Sequence, residues 1–156
     1  MPRASMSNLE ENKHIATRII LEVIDAANLA LADDLIAPDY VEHRPTNPAE
    51  DGDTTPREGF KKWIRMVHQA FPDWRHEIHD AVAEGDLVTV RSTLYGTHRG
   101  TWMGIPATGK QIEQRGYDQF RIVDRRMVEH WGEYDWIGFY QQLGALPEDV
   151  KQKLKL

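Results

Sequence analysis

Cysteine is absent from the 156-residue chain, which excludes disulfides, thiolate metal sites and cysteine nucleophiles. Long apolar runs are also missing, and the first residues lack the apolar segment of a signal peptide. Basic residues form no stripe, and the formal net charge of −6 argues against a nucleic-acid partner. These absences predict a cytoplasmic protein that binds neither membrane nor nucleic acid.

Metal-ligand motifs are scarce as well. The seven histidines include His76 and His79, but on the strand predicted there the two side chains point to opposite faces. No HExxH motif, phosphate-binding loop or GxGxxG pattern occurs. The sequence therefore favours a site without a metal.

The length and the composition, 40% hydrophobic and 28% charged, fit one domain over residues 1–156. Helical spacing of apolar residues precedes a series of period-two segments joined as hairpins. This order indicates an α+β fold, in which a cone-shaped, curved antiparallel sheet wraps over N-terminal helices and leaves an internal cavity. Three segments lie outside this pattern: residues 1–7 are interpreted as a loose lead-in, 44–58 as a loop and 145–156 as a polar tail.

The last predicted hairpin, Ile112–Val123 and Met127–Trp136, carries an acid and a base. Period two places Asp118 on one face of the first strand, and places His130 on a face of the second that also holds Val128. A carboxylate and an imidazole on a covered, largely apolar face are typical of a small active site.

The turn between these strands decides whether the two groups meet. A three-residue turn, Asp124–Arg126, places Asp118 and His130 as diagonal neighbours about 7 Å apart. A two-residue turn shifts the register by one and sends them to opposite faces. We expect the longer turn, because it puts the apolar residues of both strands on one side.

Several stretches resemble the SnoaL-like polyketide cyclases, the ester-cyclase group of the nuclear-transport-factor-two-like superfamily. They are DLIAPDYVEH (34–43), FPDW (71–74), GDLVTVRSTLYGTHRGTWMGIPATGK (85–110), and FRIVDRRMVEHW with QQLG (120–144). The resemblance implies a cone barrel with a cavity, no metal and no organic cofactor. It also implies a homo-oligomer, a dimer or tetramer, and an intramolecular aldol reaction on a small apolar or aromatic carbonyl substrate.

The chain departs from the pattern of these cyclases at two positions. Their pattern has a histidine where Asp118 stands, and an acid/base aspartate directly after EHW, where this chain has Gly132. The acid–base pair is therefore either rearranged around Asp118 and His130, or lost.

Asp118 and His130 are the candidate catalytic pair. Asp118 either orients His130, so that the imidazole abstracts a proton next to a carbonyl, or is itself a desolvated base with a raised pKa. The candidate substrate-binding residues are expected to line or rim the cavity: His98, Arg91, Trp102, Phe120, Tyr134 and Asp135.

Three functions remain open at this stage. The first is a cofactor-independent cyclase acting on a polyketide-like carbonyl compound. The second is a non-catalytic small-molecule-binding protein on the same fold. The third is a hydrolase or hydratase that activates water, as in epoxide hydrolases of this fold, which would require Arg91 to point inward beside Asp118 or Asp135.

Overall fold

The structure, a computed structural model, describes residues 3–43 and 55–156. Its helices are α1 (Arg3–Arg18), which continues as a π-helical segment (Ile19–Asp25), α2 (Leu29–Leu35), α3 (Pro56–Ala70), α4 (Trp136–Leu143) and α5 (Glu148–Leu154). Its strands are β1 (Ile36–Glu42), β2 (Arg75–Glu84), β3 (Leu87–Thr97), β4 (Gln111–Val123) and β5 (Arg126–Tyr134). No helix in the described ranges is long and apolar enough to cross a membrane.

The five strands form one curved, open sheet in the order β1-β5-β4-β3-β2. The predicted α+β class is confirmed. The sheet is antiparallel except at one edge, where β1 pairs with β5 in parallel. Parallel neighbours need a long crossover connection, and the whole chain between Glu42 and Arg126 provides it.

Helix α3 shows how the sequence sets the boundaries of an element. The Thr55 side chain accepts a hydrogen bond from the Glu58 backbone N–H, and Pro56 occupies the first turn, where its missing N–H costs nothing. The predicted loop over 44–58 therefore ends earlier than expected, while residues 44–54 lie outside the described residues. The apolar side of α3 packs into the core through Phe60, Trp63, Ile64 and Val67.

Both predicted irregular ends contain helix. Within the predicted lead-in, helix α1 already begins at Arg3; Met1 and Pro2 lie outside the described residues. Within the predicted polar tail, α5 spans Glu148–Leu154, with acids in its first turn and lysines in its last, where they complement the helix dipole. The sequence reading also missed α4, which directly follows β5.

The turn between β4 and β5 differs from the prediction. It has two residues, Asp124 and Arg125, both with positive φ (49° and 64°), and Val123 pairs with Arg126. Positive φ at both central residues is the geometry of a type I′ turn, whose twist suits a two-residue hairpin.

A β-bulge nevertheless restores the predicted register further along the hairpin. Arg121 pairs with Glu129 but Ile122 pairs with Met127, so Val128 is the extra residue. As a result Met127 is buried and Val128 only half-buried, the reverse of the predicted faces. Beyond the bulge, Asp118 lies opposite Gly132 as expected.

Candidate active site

Four polar side chains from three adjacent strands form a buried network. His130 lies at its centre: Nδ1 is 2.9 Å from Oε1 of Glu42, and Nε2 is 3.0 Å from Oδ1 of Asp118. The hydroxyl of Tyr134 donates to the other oxygen of Asp118. We call Glu42, His130, Asp118 and Tyr134 the buried network.

Strand register brings these residues together. Glu42, the last residue of β1, pairs with His130 on β5. Asp118 on β4 is diagonal to His130, because its direct partner is Gly132. Two residues further along, Tyr134 lies opposite Gly116, where an added Cβ would stand 2.2 Å from Cδ1 of the tyrosine ring. Glycine at position 116 therefore leaves the space that the ring of Tyr134 occupies.

The charges within the buried network favour a protonated imidazole. Burial opposes the charged form of His130, but hydrogen bonds to Asp118 and Glu42 and the attraction of both carboxylates outweigh it and raise the pKa of His130. Ionised carboxylates only accept hydrogen bonds, so both ring nitrogens carry protons. The side chains of His130 and Glu42 are only 4% and 5% exposed, which keeps these interactions out of water.

This geometry bears on the two roles considered for the pair. Both nitrogens of His130 are engaged as donors, so the ring has no lone pair with which to take a proton from a substrate. Asp118, in contrast, faces a cleft between the helices and the concave side of the sheet. The arrangement supports Asp118 as the base and His130 as the group that holds it.

The cleft is narrow, with a cavity volume of about 20 Å³, and its walls are mostly apolar and aromatic. Three tryptophans contribute flat surfaces, and four residues contribute polar atoms. The lining residues are Ile24, Trp63, Trp74, His76, Leu94, Gln114, Asp118, Tyr134 and Trp136.

Of the six predicted substrate-binding residues, only Tyr134 lines the cleft. The prediction for Arg91 is wrong, because this residue alternates to the outer face of β3 and forms an ion pair with Asp80, with 2.6 Å between Nη2 and Oδ2. Its side chain is 44% exposed. The water-activating arrangement considered from the sequence therefore lacks its arginine.

Asp135 also does not line the cleft and instead caps a helix. Its side chain accepts a hydrogen bond from the backbone N–H of Gly138 at 2.8 Å and so caps α4. Phe120 is buried behind the cleft, where its ring packs against His130 with 5.1 Å between centroids. Phe120 therefore contacts His130 but is not among the residues that line the cleft.

His98 and Trp102 support the loop that follows β3. His98 is fully buried, stacks on Phe71 and interacts through Nδ1 with the hydroxyl of Thr108 at 3.0 Å. Burial lowers the pKa of His98, although a backbone hydrogen bond opposes this shift. Trp102 packs edge-on against Phe71. Both residues were expected to line or rim the cleft, but neither is among the residues that line it.

Three important polar residues were missed from the sequence. Glu42 occurs in the quoted DYVEH stretch, but only the pairing of β1 with β5 reveals its contact with His130. His76 was considered only as a metal ligand, and Gln114 was not considered at all. Period two on β4 does place Gln114, Gly116 and Asp118 on one face, so this signal was available for Gln114.

A metal site is not formed by these groups. In the part of the chain that the structure describes, no three His, Asp or Glu side chains are arranged to hold a metal ion. Within the buried network, the imidazole separates the two carboxylates and bonds to both.

Comparison with known proteins agrees with this fold. Residues 14–143 match the SnoaL-like polyketide cyclase family. Nogalonic acid methyl ester cyclase of Streptomyces nogalater is 30% identical over 134 residues, which cover 81% of this chain and 96% of that protein. The aklanonic acid methyl ester cyclase DauD of Streptomyces sp. strain C5 is 28% identical over 130 residues, covering 81% and 80%.

Solved structures give the same result. TsrD from Streptomyces laurentii superposes with a TM-score of 0.75 at 28% identity and covers 88% of this chain and 97% of its own. IdmH from Streptomyces antibioticus gives 0.72 at 33% identity, with 85% and 98% covered. The fold defines a nuclear-transport-factor-two-like cavity protein. This chain belongs to the SnoaL-like polyketide cyclase family, and the predicted resemblance and cyclase class are confirmed.

Proposed function

We propose that this protein closes a ring in a polyketide-like carbonyl compound by an intramolecular aldol reaction, with Asp118 as the base and no organic cofactor or metal. The proposal rests on one observation: a buried carboxylate, held by His130 and Tyr134, faces an aromatic cleft. Two relatives of this chain are named as cyclases of nogalonic and aklanonic acid methyl esters.

The proton balance of the reaction closes within the site. Asp118 takes a proton from a carbon next to a carbonyl group, and the resulting enolate attacks a second carbonyl carbon of the same molecule. A carbon–carbon bond forms and the attacked oxygen becomes an alkoxide. The proton on Asp118 then passes to that alkoxide, so nothing is gained or lost overall and the carboxylate is regenerated.

The net charge of the buried network favours the transfer of a proton to Asp118. Two carboxylates and one imidazolium give a net charge of −1 in a region shielded from water. When Asp118 accepts a proton, the three groups become neutral together. Because an uncompensated buried charge is costly, the surroundings favour proton uptake at the moment when the enolate forms.

Each partner of Asp118 has its own part in this proposal. His130 fixes one carboxylate oxygen, and Glu42 keeps His130 protonated and oriented. Tyr134 donates to the other oxygen and also lines the cleft, so its hydroxyl can turn to a developing alkoxide. Ring closure thus uses side chains of β4 and β5 only, with β1 in support.

The experiment measures two steps separately. In deuterium oxide, a base at Asp118 exchanges the acidic C–H of nogalonic acid methyl ester even when ring closure is slow; chromatography follows ring closure itself. We expect Asp118→Asn to lose at least about a hundredfold in both rates while binding the compound normally. The matched control is Asp80→Asn, which removes an exposed carboxylate on the outer face.

Other outcomes would contradict the proposal. Unchanged exchange in Asp118→Asn would exclude Asp118 as the base. Labelled oxygen entering the product from water would indicate a hydrolase or hydratase. Binding without exchange or ring closure in the unmodified protein would indicate a non-catalytic binding protein.

We also propose that the protein works in the cytoplasm as a homo-oligomer, a dimer or tetramer. The outer face of the sheet supports this, because Tyr117 on β4 and Val82 on β2 expose large apolar surface there. Light scattering after size exclusion measures the mass directly; a mass of 18.0 kDa, that of one chain, would contradict the proposal.

A further inference from the structure

We propose that His76, oriented by Asp25, is a second base in the cleft, and that it enolises a small ketone held there by two buried donors. The donors are the amide Nε2 of Gln114 and the indole Nε1 of Trp74. This activity is separate from the proposed ring closure, because it uses none of the four residues of the buried network.

The carboxylate of Asp25 binds His76 at two points. One oxygen lies 2.6 Å from Nδ1 of the ring, and the other accepts the backbone N–H at 2.7 Å. Because β2 is an edge strand, no further strand competes for this N–H. The side chains of His76 and Asp25 are 4% and 12% exposed, so water competes little with the contact. Asp25 also ends the π-helical segment, a kind of distortion that is frequent at functional sites.

This contact sets the protonation of the imidazole. An ionised carboxylate only accepts hydrogen bonds, so Nδ1 carries the proton and Nε2 of the neutral ring holds a lone pair. His76 lines the cleft, and its hydrogen bonds within the described chain use Nδ1 and the backbone N–H. It therefore differs from His130, whose ring nitrogens both donate. Asp25 would also stabilise the imidazolium that forms when Nε2 takes a proton.

Two unused donors lie in the wall of the cleft beside this base. The amide Nε2 of Gln114 and the indole Nε1 of Trp74 have no hydrogen-bond partner among residues 3–43 and 55–156, although both residues are at least 95% buried. A buried donor without a partner lowers stability, so proteins rarely keep one without a use. Both groups can satisfy a carbonyl oxygen, and they bind it more strongly once it becomes the negatively charged oxygen of an enolate.

Strand register places the donors near His76 and far from Asp118. His76 pairs with Leu94, and Leu94 pairs with Gln114, so the three lie in one row across β2, β3 and β4. The ring of Trp74 lies edge-on to that of His76, with centroids 6.2 Å apart. Asp118 is four residues beyond Gln114 on the same strand, or roughly 13 Å. The two bases therefore act on different carbons, and the narrow cleft suits a ketone with a single ring at His76.

The reaction moves one proton and needs no further reactant. The bond between hydrogen and the carbon next to the carbonyl breaks, the proton binds Nε2 of His76, and the electron pair delocalises onto the carbonyl oxygen. Gln114 and Trp74 donate to this oxygen, while Asp25 faces the new imidazolium. Return of the proton to carbon regenerates the ketone, and its transfer to oxygen gives the enol. In deuterium oxide the imidazolium exchanges its proton with solvent, so the carbon receives deuterium.

The test follows deuterium uptake by cyclohexanone with mass spectrometry. We expect His76→Gln to lose at least about a hundredfold in exchange rate, because glutamine can still donate to Asp25 but is not a base. Gln114→Leu should lose about tenfold, because the enolate oxygen loses one donor. The matched control is His79→Gln, which changes a histidine on the other face of β2, where Nε2 contacts the hydroxyl of Thr93, and should keep the full rate.

Nitrogen-15 NMR of the histidine rings gives a readout that does not depend on turnover. In slightly alkaline buffer we expect His76 of the unmodified protein to carry its proton on Nδ1. Asp25→Asn should move this proton to Nε2, because an amide can donate to Nδ1, and should therefore lose exchange while the protein stays folded. A positioning role for Asp25 predicts this change of tautomer, whereas a purely structural role does not.

Four results would overturn the proposal. They are no exchange by the unmodified protein, equal rates in His76→Gln and His79→Gln, a proton on Nε2 of His76 in the unmodified protein, and exchange that is lost in Asp118→Asn but kept in His76→Gln. The last result would assign the proton transfer to Asp118 alone. Ring closure is assayed with a different compound, so failure of either base is recognised separately.

Discussion

Tyr134 donates its hydroxyl to Asp118 across the β4–β5 hairpin, while the opposite oxygen of the same carboxylate accepts from His130. Both oxygens of the proposed base are therefore fixed from two directions before a substrate arrives. Such preorganisation lowers the reorganisation needed during proton transfer.

Tyr134→Phe tests the hydroxyl alone. The ring still packs against Gly116, but one oxygen of Asp118 loses its donor, and we expect kcat to fall by about 10- to 100-fold with little change in KM. Tyr117→Phe is the matched control, since Tyr117 lies on the outer face of the same strand with half its surface exposed. Equal kcat values for both variants would contradict a role for the Tyr134 hydroxyl.

Gly116→Ala tests the space beneath the ring. The new Cβ would stand 2.2 Å from Cδ1 of Tyr134 and 2.6 Å from the carbonyl oxygen of Glu133, so the ring and the strand must both move. We expect a loss of about 1–3 kcal/mol in the free energy of unfolding, measured in urea, together with a lower kcat. In a Tyr134→Phe background the further loss of kcat should be small, because the displaced group no longer acts. Additive losses of kcat would show that Gly116 does not act through Tyr134.

The part of the site that lies within one hairpin was predictable from the sequence. Period two placed Asp118 and His130 on one covered face, and the expected diagonal contact is present. The predicted length of the turn was wrong, because Arg125 has a positive φ at a position where a type I′ turn usually has glycine. A second error, the unforeseen bulge at Val128, cancelled the first in the register.

The contacts between distant segments could not be predicted in this way. Glu42 and His130 are 88 residues apart, and Asp25 and His76 are 51 apart. Periodicity assigns each residue to a face of its own strand or helix, but it does not identify which strand lies alongside. The candidate residue His98 failed for the same reason, since its chemistry was visible but its surroundings were not. Arg91 differs, because period two on β3 places it on the face opposite to the buried Val88 and Val90.

The pH dependence of stability tests the charge on His130. Its pKa in the folded protein is raised above the value of about 6.5 expected when unfolded. The folded state therefore binds the extra proton more tightly, and this stabilisation is complete below about pH 6.5 and is lost as the pH rises through the raised pKa. We expect the difference in unfolding free energy between the unmodified protein and His130→Gln to shrink as the pH rises above about 6.5. A difference that stays constant or grows would show that His130 is neutral.

The last prediction concerns the β4–β5 turn. Its backbone conformation lowers the stability of the folded protein, and a glycine would remove this loss. Arg125 has φ = 64°, and such a conformation costs a non-glycine residue about 1–2 kcal/mol. Its side chain forms an exposed ion pair with Glu11, which contributes little. Arg125→Gly and Arg125→Ala both lose this ion pair, but only glycine relieves the backbone. We expect the glycine variant to be more stable than the alanine variant by about 1 kcal/mol in urea unfolding. Both should keep the kcat of the unmodified protein, because the bulge at Val128 separates the turn from His130. Equal stabilities would mean that the turn does not hold the two-residue geometry in solution.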